Sequence, residues 1–145
     1  MSHRTQIRDE IVNEFGKLKA TEAGRVSDFD ISTIWLTETE TKQACTYCVI
    51  VTDEERTAGT LENDIYQLTG KVVLYAYDTK DARAKLDLMI EDAIDVLRRA
   101  FGAVGSWLQM AHPESVTTSE GSSIEGDWPQ AVIRWTATHR RPVMT

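Results

Sequence analysis

The sequence predicts one α+β domain in which two main helices pack on a mixed or antiparallel sheet of four to five strands. Three observations support this class. A long strand pattern runs directly into an amphipathic helix over residues 64–101, most other apolar segments have strand periodicity, and only one helix connects strands. The predicted order is α-β-β-β-α-β-β. With 145 residues, the chain is expected to form a single domain over residues 1–145, with a core that needs no disulfide or metal.

The central strand and helix are predicted from periodicity. Residues 64–77 are rich in aromatic and β-branched side chains at both parities, so both faces of this strand are expected to be covered. Apolar residues then recur every three or four positions over 86–101, which is typical of a helix lying on a sheet. Asp78 is the predicted N-cap of this helix, with Asp81 in its first turn, and Gly102 is the predicted C-cap.

The flanking elements follow from the same patterns. A helix is predicted over residues 4–20, with Ser2 as its N-cap and one buried face. That face consists of Ile7, Ile11, Phe15 and Leu18. Further strands are predicted at 31–36, 44–52, 114–120 and 131–139.

The last of these strands alternates most clearly and is predicted to be half buried at a sheet edge. Its inward residues are expected to be Ala131, Ile133, Trp135 and Ala137. Residues 140–142 are expected to end its pairing. Polar residues at 37–43 and 53–63 predict loops, and a short apolar segment over 107–112 is expected to end at Pro113.

The charge of the chain disfavours whole classes of function. A formal net charge of −7 argues against a nucleic-acid-binding protein, because such proteins neutralise phosphate with a basic surplus.

No run of residues approaches the roughly 18 apolar positions that a membrane span requires. Residues 1–10 lack the apolar region of a signal peptide. We therefore expect folding in a cytoplasm, with no membrane partner.

Cys45 and Cys48 form a C-x-x-C motif, which is typical of redox dithiols and of half a zinc site. They fall in a predicted buried strand and not at a helix N-terminus, where the helix dipole would lower a thiol pKa. Residues three apart on a strand point to opposite faces and lie roughly 10 Å apart, too far for a disulfide. Both are therefore expected in the core. A small cytoplasmic thiol enzyme is the alternative from a different class.

No motif in the sequence predicts catalysis. Gly70 and Lys71 are followed by Val72 within a strand, so they do not form a nucleotide-binding P-loop. Asp28 and Asp30 lack the glycine and the distal glutamate of an EF-hand loop. We expect no catalytic, cofactor-binding or metal-binding residues and no cofactor, and hence a protein that is not an enzyme. A cytoplasmic ligand-binding module is a further alternative.

One face of the second helix carries a stripe of like charge formed by Asp87, Glu91 and Asp95. Carboxylates four residues apart repel by a few tenths of a kcal/mol per pair. Arg83 is expected to offset Asp87, and Arg98 or Arg99 to offset Asp95. The stripe lies opposite the predicted buried face. It is therefore interpreted as a solvated surface or as an acidic surface facing another subunit or a channel lumen.

Several short segments occur in the order and spacing of one protein family. They are the opening helix His3-Arg-Thr-Gln-Ile-Arg, the turn Gly24-Arg-Val26, the strand Cys48-Val-Ile-Val51 before an acidic loop, the block Leu74-Tyr-Ala-Tyr followed by Asp81, Leu86-Asp87 and Ile90, and the Gly/acid loop Glu120–Asp127. In this order they resemble the tail terminator proteins of long-tailed bacteriophages, the lambda-type minor tail protein U family. The resemblance covers nearly the whole chain. A Pro-Ala that such proteins often carry before the first long strand is absent here.

The resemblance implies a structural role. Such proteins assemble as a homohexameric ring on the end of the tail tube, stop its polymerisation and present the surface that joins the head. The implied partners are other copies of the chain, the major tail tube protein and a head–neck connector protein. DNA would pass through the ring without specific binding. The implied location is the head-proximal end of the tail in the virion, after assembly in the host cytoplasm. Another head–neck or tail-completion subunit is the alternative among assembly proteins.

The interface with the tube or a neighbouring subunit is predicted to involve the acidic loop after the first long strand, because long loops are often functional. Trp128, which precedes Pro129, is added as an aromatic residue expected to contact a partner. The predicted interface residues are Asp53, Glu54, Glu55, Arg56, Leu61, Trp128 and Arg140.

Overall fold

The computed structural model describes residues 3–21, 24–26, 29–33, 45–59, 63–76, 81–104, 108–119 and 130–142. Two helices and a five-stranded mixed sheet form these parts of the chain, in the predicted order. The elements are α1 (His3–Thr21), β1 (Asp30–Ser32), β2 (Thr46–Gly59), β3 (Asn63–Tyr75), α2 (Ala82–Ala103), β4 (Leu108–Ser119) and β5 (Gln130–Pro142). The predicted α+β class is confirmed.

The strands lie in the order β1-β2-β3-β5-β4. β1 runs parallel to β2, and all the other neighbours are antiparallel. The register places Leu74 of β3 between Tyr47 of β2 and Ala131 of β5. Because strand residues of one parity share a face, this register fixes which side chains meet the helices.

Both helices pack against each other and on one face of the sheet. The predicted inward residues of α1 and β5 are all buried, which confirms both patterns. Phe15 of α1 stacks on Tyr47 with ring centroids 4.4 Å apart, and Phe29 meets Tyr47 edge-on at 4.9 Å. Aromatic contacts of this kind add to the area that the core buries.

The ends of the second helix differ from the prediction. Its N-cap is Asp81, whose side chain accepts a hydrogen bond from the backbone N–H of Ala84, whereas the sequence pattern suggested Asp78. Gly102 is not the C-cap, because the helix continues to Ala103 and the N–H of Val104 donates to the carbonyl of Ala100. The predicted caps Asp78 and Ser2 lie outside the described residues.

The largest correction concerns residues 53–63, which were predicted to form a loop. Residues 53–59 continue β2 and pair with residues 64–69 at the start of β3. The register shifts at Val51/Asp53 and again at Arg56/Ala58, so the pairing contains two bulges. The amphipathic alternation that identifies a half-buried strand is absent here because most of these side chains on β2 face solvent.

The other corrections concern β4, β5 and β1. Pro113 does not end a segment, since β4 runs through it with a register shift before Ser115; proline is tolerated there because β4 is an edge strand. β5 lies between β3 and β4, not at an edge, and pairs with β3 as far as Pro142. β1 ends at Ser32, and the predicted loop at 37–43 lies outside the described residues.

Candidate interaction site

The far end of the β2–β3 hairpin is called the arm here and consists of residues 53–59 of β2 with residues 63–69 of β3. Residues 63–69 are partly or fully buried and also pair with residues 136–142 of β5, so only the β2 side of the arm is exposed. All the arm residues of β2 except Glu54 are exposed. The Nε atom of Arg56 lies 2.9 Å from Oδ1 of Asp64 across the two strands. The hydroxyl of Thr57 donates to the carbonyl of Ile65. The arm therefore presents backbone-paired strands with charged side chains to solvent.

The base of the arm is fixed by the first turn of α1. The guanidinium of Arg4 donates to the carbonyls of Val51 and Thr52, beside the first bulge of β2. Next to it, the Nδ1 atoms of His3 and His139 lie 2.8 Å apart. Helix α1 thus makes polar contacts to the sheet at the point where the arm begins.

His139 is fully buried at this base. Its Nε2 atom lies 3.5 Å from a carboxylate oxygen of Glu54, whose side chain is only 13% exposed. The ring of Tyr66 stacks on the imidazole with centroids 5.6 Å apart. Burial of His139 follows from the register, because it continues the inward parity of Trp135 in β5.

The structure brings together most of the predicted interface residues that it describes. Asp53, Glu55 and Arg56 are exposed on the arm, and Arg140 of β5 is exposed directly opposite Ile65 of the arm. Glu54 is only partly exposed and is directed toward His139, on the face that it shares with Arg56. The remaining two predicted residues, Leu61 and Trp128, lie outside the described residues.

The acidic stripe of α2 has a partner that the sequence did not indicate. This partner is Arg25, which follows α1. Its Nε atom lies 3.1 Å from Oε2 of Glu91, and its Nη1 atom lies 3.2 Å from Oδ2 of Asp95. The cation beside Asp95 is therefore Arg25, not Arg98 or Arg99 as predicted. The pKa of Arg25 is raised, most by its hydrogen bond to Asp92 and next by its hydrogen bond to Asp95. Asp87 and Glu91 are exposed on the outer side of α2.

The two cysteines lie in the core region and are not joined by a disulfide. Cys48 is opposite Val73 on the sheet face away from the helices, whereas its neighbour Tyr47 points toward them. Within the described ranges, no group of three or more His, Cys, Asp and Glu side chains is arranged to hold a metal ion. The described helices include none that is long and apolar enough to cross a membrane.

β4 presents a second exposed feature, since it forms one edge of the sheet. Residues 114–118 of this strand are all exposed, and Val116 is an exposed apolar side chain opposite the buried Ile133. Edge strands with free backbone groups and little charge can pair with a strand of another subunit.

Sequence reasoning missed the residues that anchor the arm, namely His3, Arg4, Tyr66 and His139. The inward parity of β5 was a usable signal for His139, because it continues the pattern two residues beyond Ala137. No local pattern connects Arg4 to β2, almost fifty residues away, or His3 to His139 of β5, which is 136 residues away. Their role follows only from the packing of α1 on the sheet.

No protein-family model and no curated protein matches this chain. The arm, its anchor and the sheet edge are therefore the observations from which a function can be argued.

Proposed function

We propose that this protein is a phage tail terminator that assembles as a ring on the end of the tail tube, stops its polymerisation and provides the head-joining surface. The observation that carries the proposal is the arm. Its β2 strand carries exposed charges, its β3 strand is hydrogen-bonded into the sheet between β2 and β5, and its base is contacted by Arg4 of α1. Rigidly mounted, exposed segments of this kind are suited to contact another subunit.

The two edges of the sheet support assembly with other copies. β1 and β4 occupy opposite edges, so one copy can contact two neighbours without using the same surface twice. Heterologous contacts of this type generate closed rings when the rotation closes. The exposed, largely uncharged residues 115–118 of β4 offer backbone groups to such a neighbour.

The charge of the protein fits a ring through which DNA passes. The net charge is −7, and exposed carboxylates at Asp87 and Glu91 lie on the outer face of α2. Like charges repel, so a channel lined by such a surface would not retain DNA. In this proposal the partners are other copies of the chain, the tube protein and a head–neck connector.

Charge reversal on the arm tests the proposal. In a phage that carries the double variant Glu55→Lys, Arg56→Glu, the protein is expected to fold normally, because exposed ion pairs contribute at most about 1 kcal/mol. We expect it to fail in capping, so that electron microscopy shows tails longer than those of the wild type.

A matched double variant, Asp9→Lys with Lys17→Glu, lies on the exposed face of α1, away from the arm. Like the arm variant, it reverses one negative and one positive charge and leaves the net charge unchanged. It is expected to give tails of normal length. Normal tails from the arm variant, with the protein present and folded, would contradict the assignment of the arm as the tube contact.

A further inference from the structure

The contact between His3 and His139 constrains where protons can bind. The two Nδ1 atoms lie 2.8 Å apart, which is a hydrogen-bond distance, and the rings meet edge-on with an interplanar angle of 87°. Such a bond needs one Nδ1 with a proton and one without. If both imidazoles are protonated, two N–H groups face each other and the bond is lost.

The neighbours of each ring decide which one carries the proton. A carboxylate oxygen of Glu54 lies 3.5 Å from Nε2 of His139, an ion-pair distance without a hydrogen bond, so an imidazolium at His139 has a nearby negative charge while its Nδ1 donates to His3. His3 is the first residue of α1, where the positive end of the helix dipole disfavours a cation. The geometry therefore makes His139 the donor and His3 the neutral acceptor.

Among the described residues, the other elements packed around the pair contribute the following groups. From α1, the guanidinium of Arg4 is directed to the carbonyls of β2, and Arg8 is paired with Asp9. From β3, Tyr66 stacks on His139. From β4, the cross-strand partner of His139 is Leu108, and from α2 the contact to this region is Phe101 against Trp135. Arg4 adds to the cost of a second positive charge at the pair.

We propose that His3, His139 and Glu54 form a pH-sensitive latch that ties the base of the arm to α1 near neutral pH and releases it in acid. The latched pair binds at most one proton at its two Nδ1 atoms, whereas two separated imidazoles bind one each below about pH 6.5. The released state therefore takes up one more proton, and acidification favours it. The latch is a property of the free protein; its use in controlling contact with the tube rests on the proposed function.

Hydrogen–deuterium exchange of the purified protein tests the latch without any phage component. Protection factors, which correct for the intrinsic pH dependence of exchange, are measured for arm amides in residues 54–57 and 64–68 between pH 7.5 and 5. We expect them to fall by up to about tenfold per pH unit below about pH 6, since one extra proton is bound on release. Amides of α2 within residues 93–97 serve as the internal reference.

Two variants separate the latch from other acid effects. In His3→Asn the amide oxygen can still accept from His139 but cannot be protonated, so arm protection is expected to stay constant over this range. His112→Asn removes the one histidine outside the latch, which is exposed on β4, and is expected to behave as the wild type. Wild-type protection that does not change with pH, or an equal loss in His3→Asn, would overturn the proposal.

A second measurement uses the wild-type protein alone and so does not depend on a variant that folds. Imidazole ¹⁵N NMR at neutral pH is expected to show one protonated and one unprotonated Nδ1 among His3 and His139. Two unprotonated Nδ1 atoms would exclude the hydrogen bond, and with it the latch. Because both experiments use free protein, a failed latch leaves the proposed tail function standing, and failed capping leaves the latch standing.

Discussion

The carboxylate of Asp92 accepts a hydrogen bond from the backbone N–H of Arg25 at 2.8 Å and another, at the same distance, from the guanidinium of that residue. The N–H of Val26 donates to the same carboxylate at 3.2 Å. Asp92 is buried in α2, while Arg25 belongs to the segment after α1. This single carboxylate therefore ties the connection that leaves the first helix to the second.

Replacement of Asp92 by Asn is expected to lower the free energy of unfolding by about 2–4 kcal/mol. The neutral amide removes the negative charge that pairs with the guanidinium of Arg25. It also has only one oxygen to accept the three hydrogen bonds that the buried carboxylate accepts. Urea unfolding measures the change. Asp95→Asn is the matched control, since that side chain is 41% exposed and should cost less than about 1 kcal/mol. Equal effects of the two variants would refute the anchoring role of Asp92.

Gly70 is required because the ring of its cross-strand partner Trp135 lies directly over it. A Cβ atom at this position would collide with that ring and come within 2.8 Å of the carbonyl oxygen of Ile50. Gly70→Ala is therefore expected to destabilise the protein by about 1–3 kcal/mol, as overpacked cores do.

Gly16 provides the control for this substitution, because nothing lies within 4 Å of a Cβ built there. It occupies the interior of α1, where alanine is favoured over glycine by about 0.5–1 kcal/mol. Gly16→Ala should raise the midpoint of thermal unfolding while Gly70→Ala lowers it. A neutral Gly70→Ala variant would show that Trp135 can move aside.

The hydroxyl of Tyr47 is buried and has no hydrogen-bond partner among the described residues. Tyr47→Phe removes an unsatisfied polar atom and keeps the stacked ring, so stability is expected to stay equal or to rise by up to about 1 kcal/mol. A loss above about 1 kcal/mol in urea unfolding would mean that the hydroxyl has a partner.

Tyr47→Phe should also change how the free energy of unfolding depends on pH in alkaline solution. Burial first, and the nearby charge of Asp92 second, raise the pKa of Tyr47, and burial also raises that of Tyr75. A group whose pKa is higher in the folded state stabilises that state below its unfolded pKa, near 10, and loses this contribution as the pH rises further. Wild-type stability should therefore decline above about pH 10, and less steeply in Tyr47→Phe.

The thiols of Cys45 and Cys48 are expected to react slowly in the native protein, because both are buried. Labelling with a thiol reagent should be slow without denaturant and fast in urea, with two thiols modified per chain. Rapid labelling of either thiol in the native protein would return the thiol-enzyme alternative to consideration.

Regular apolar periodicity explains what the sequence could predict. The buried face of α1, the helix over 82–103 and the alternation of β5 all arise from side chains that one element buries along its length. Such patterns are visible in the local sequence, so the α+β fold class and the order of helices and strands could be predicted from them. The N-cap of α2 was misplaced because aspartates occur at both 78 and 81, and either can accept the first-turn amides.

Long-range geometry explains what the sequence could not predict. Most arm side chains of β2 face solvent and show no apolar alternation, so these polar residues looked like a loop. Pro113 ended a predicted segment because nothing local indicates that β4 lies at a sheet edge, where proline is tolerated. Arg25 and Asp92, like His3 and His139, meet only after the helices pack on the sheet.

Electron microscopy of particles from a phage or prophage that lacks this gene tests the central claim most directly. A tail terminator predicts tubes of uncontrolled length with no heads attached. Tails of normal length that fail to join heads would contradict termination and indicate a neck-completion subunit instead. Intact, infectious particles would contradict any role in tail assembly.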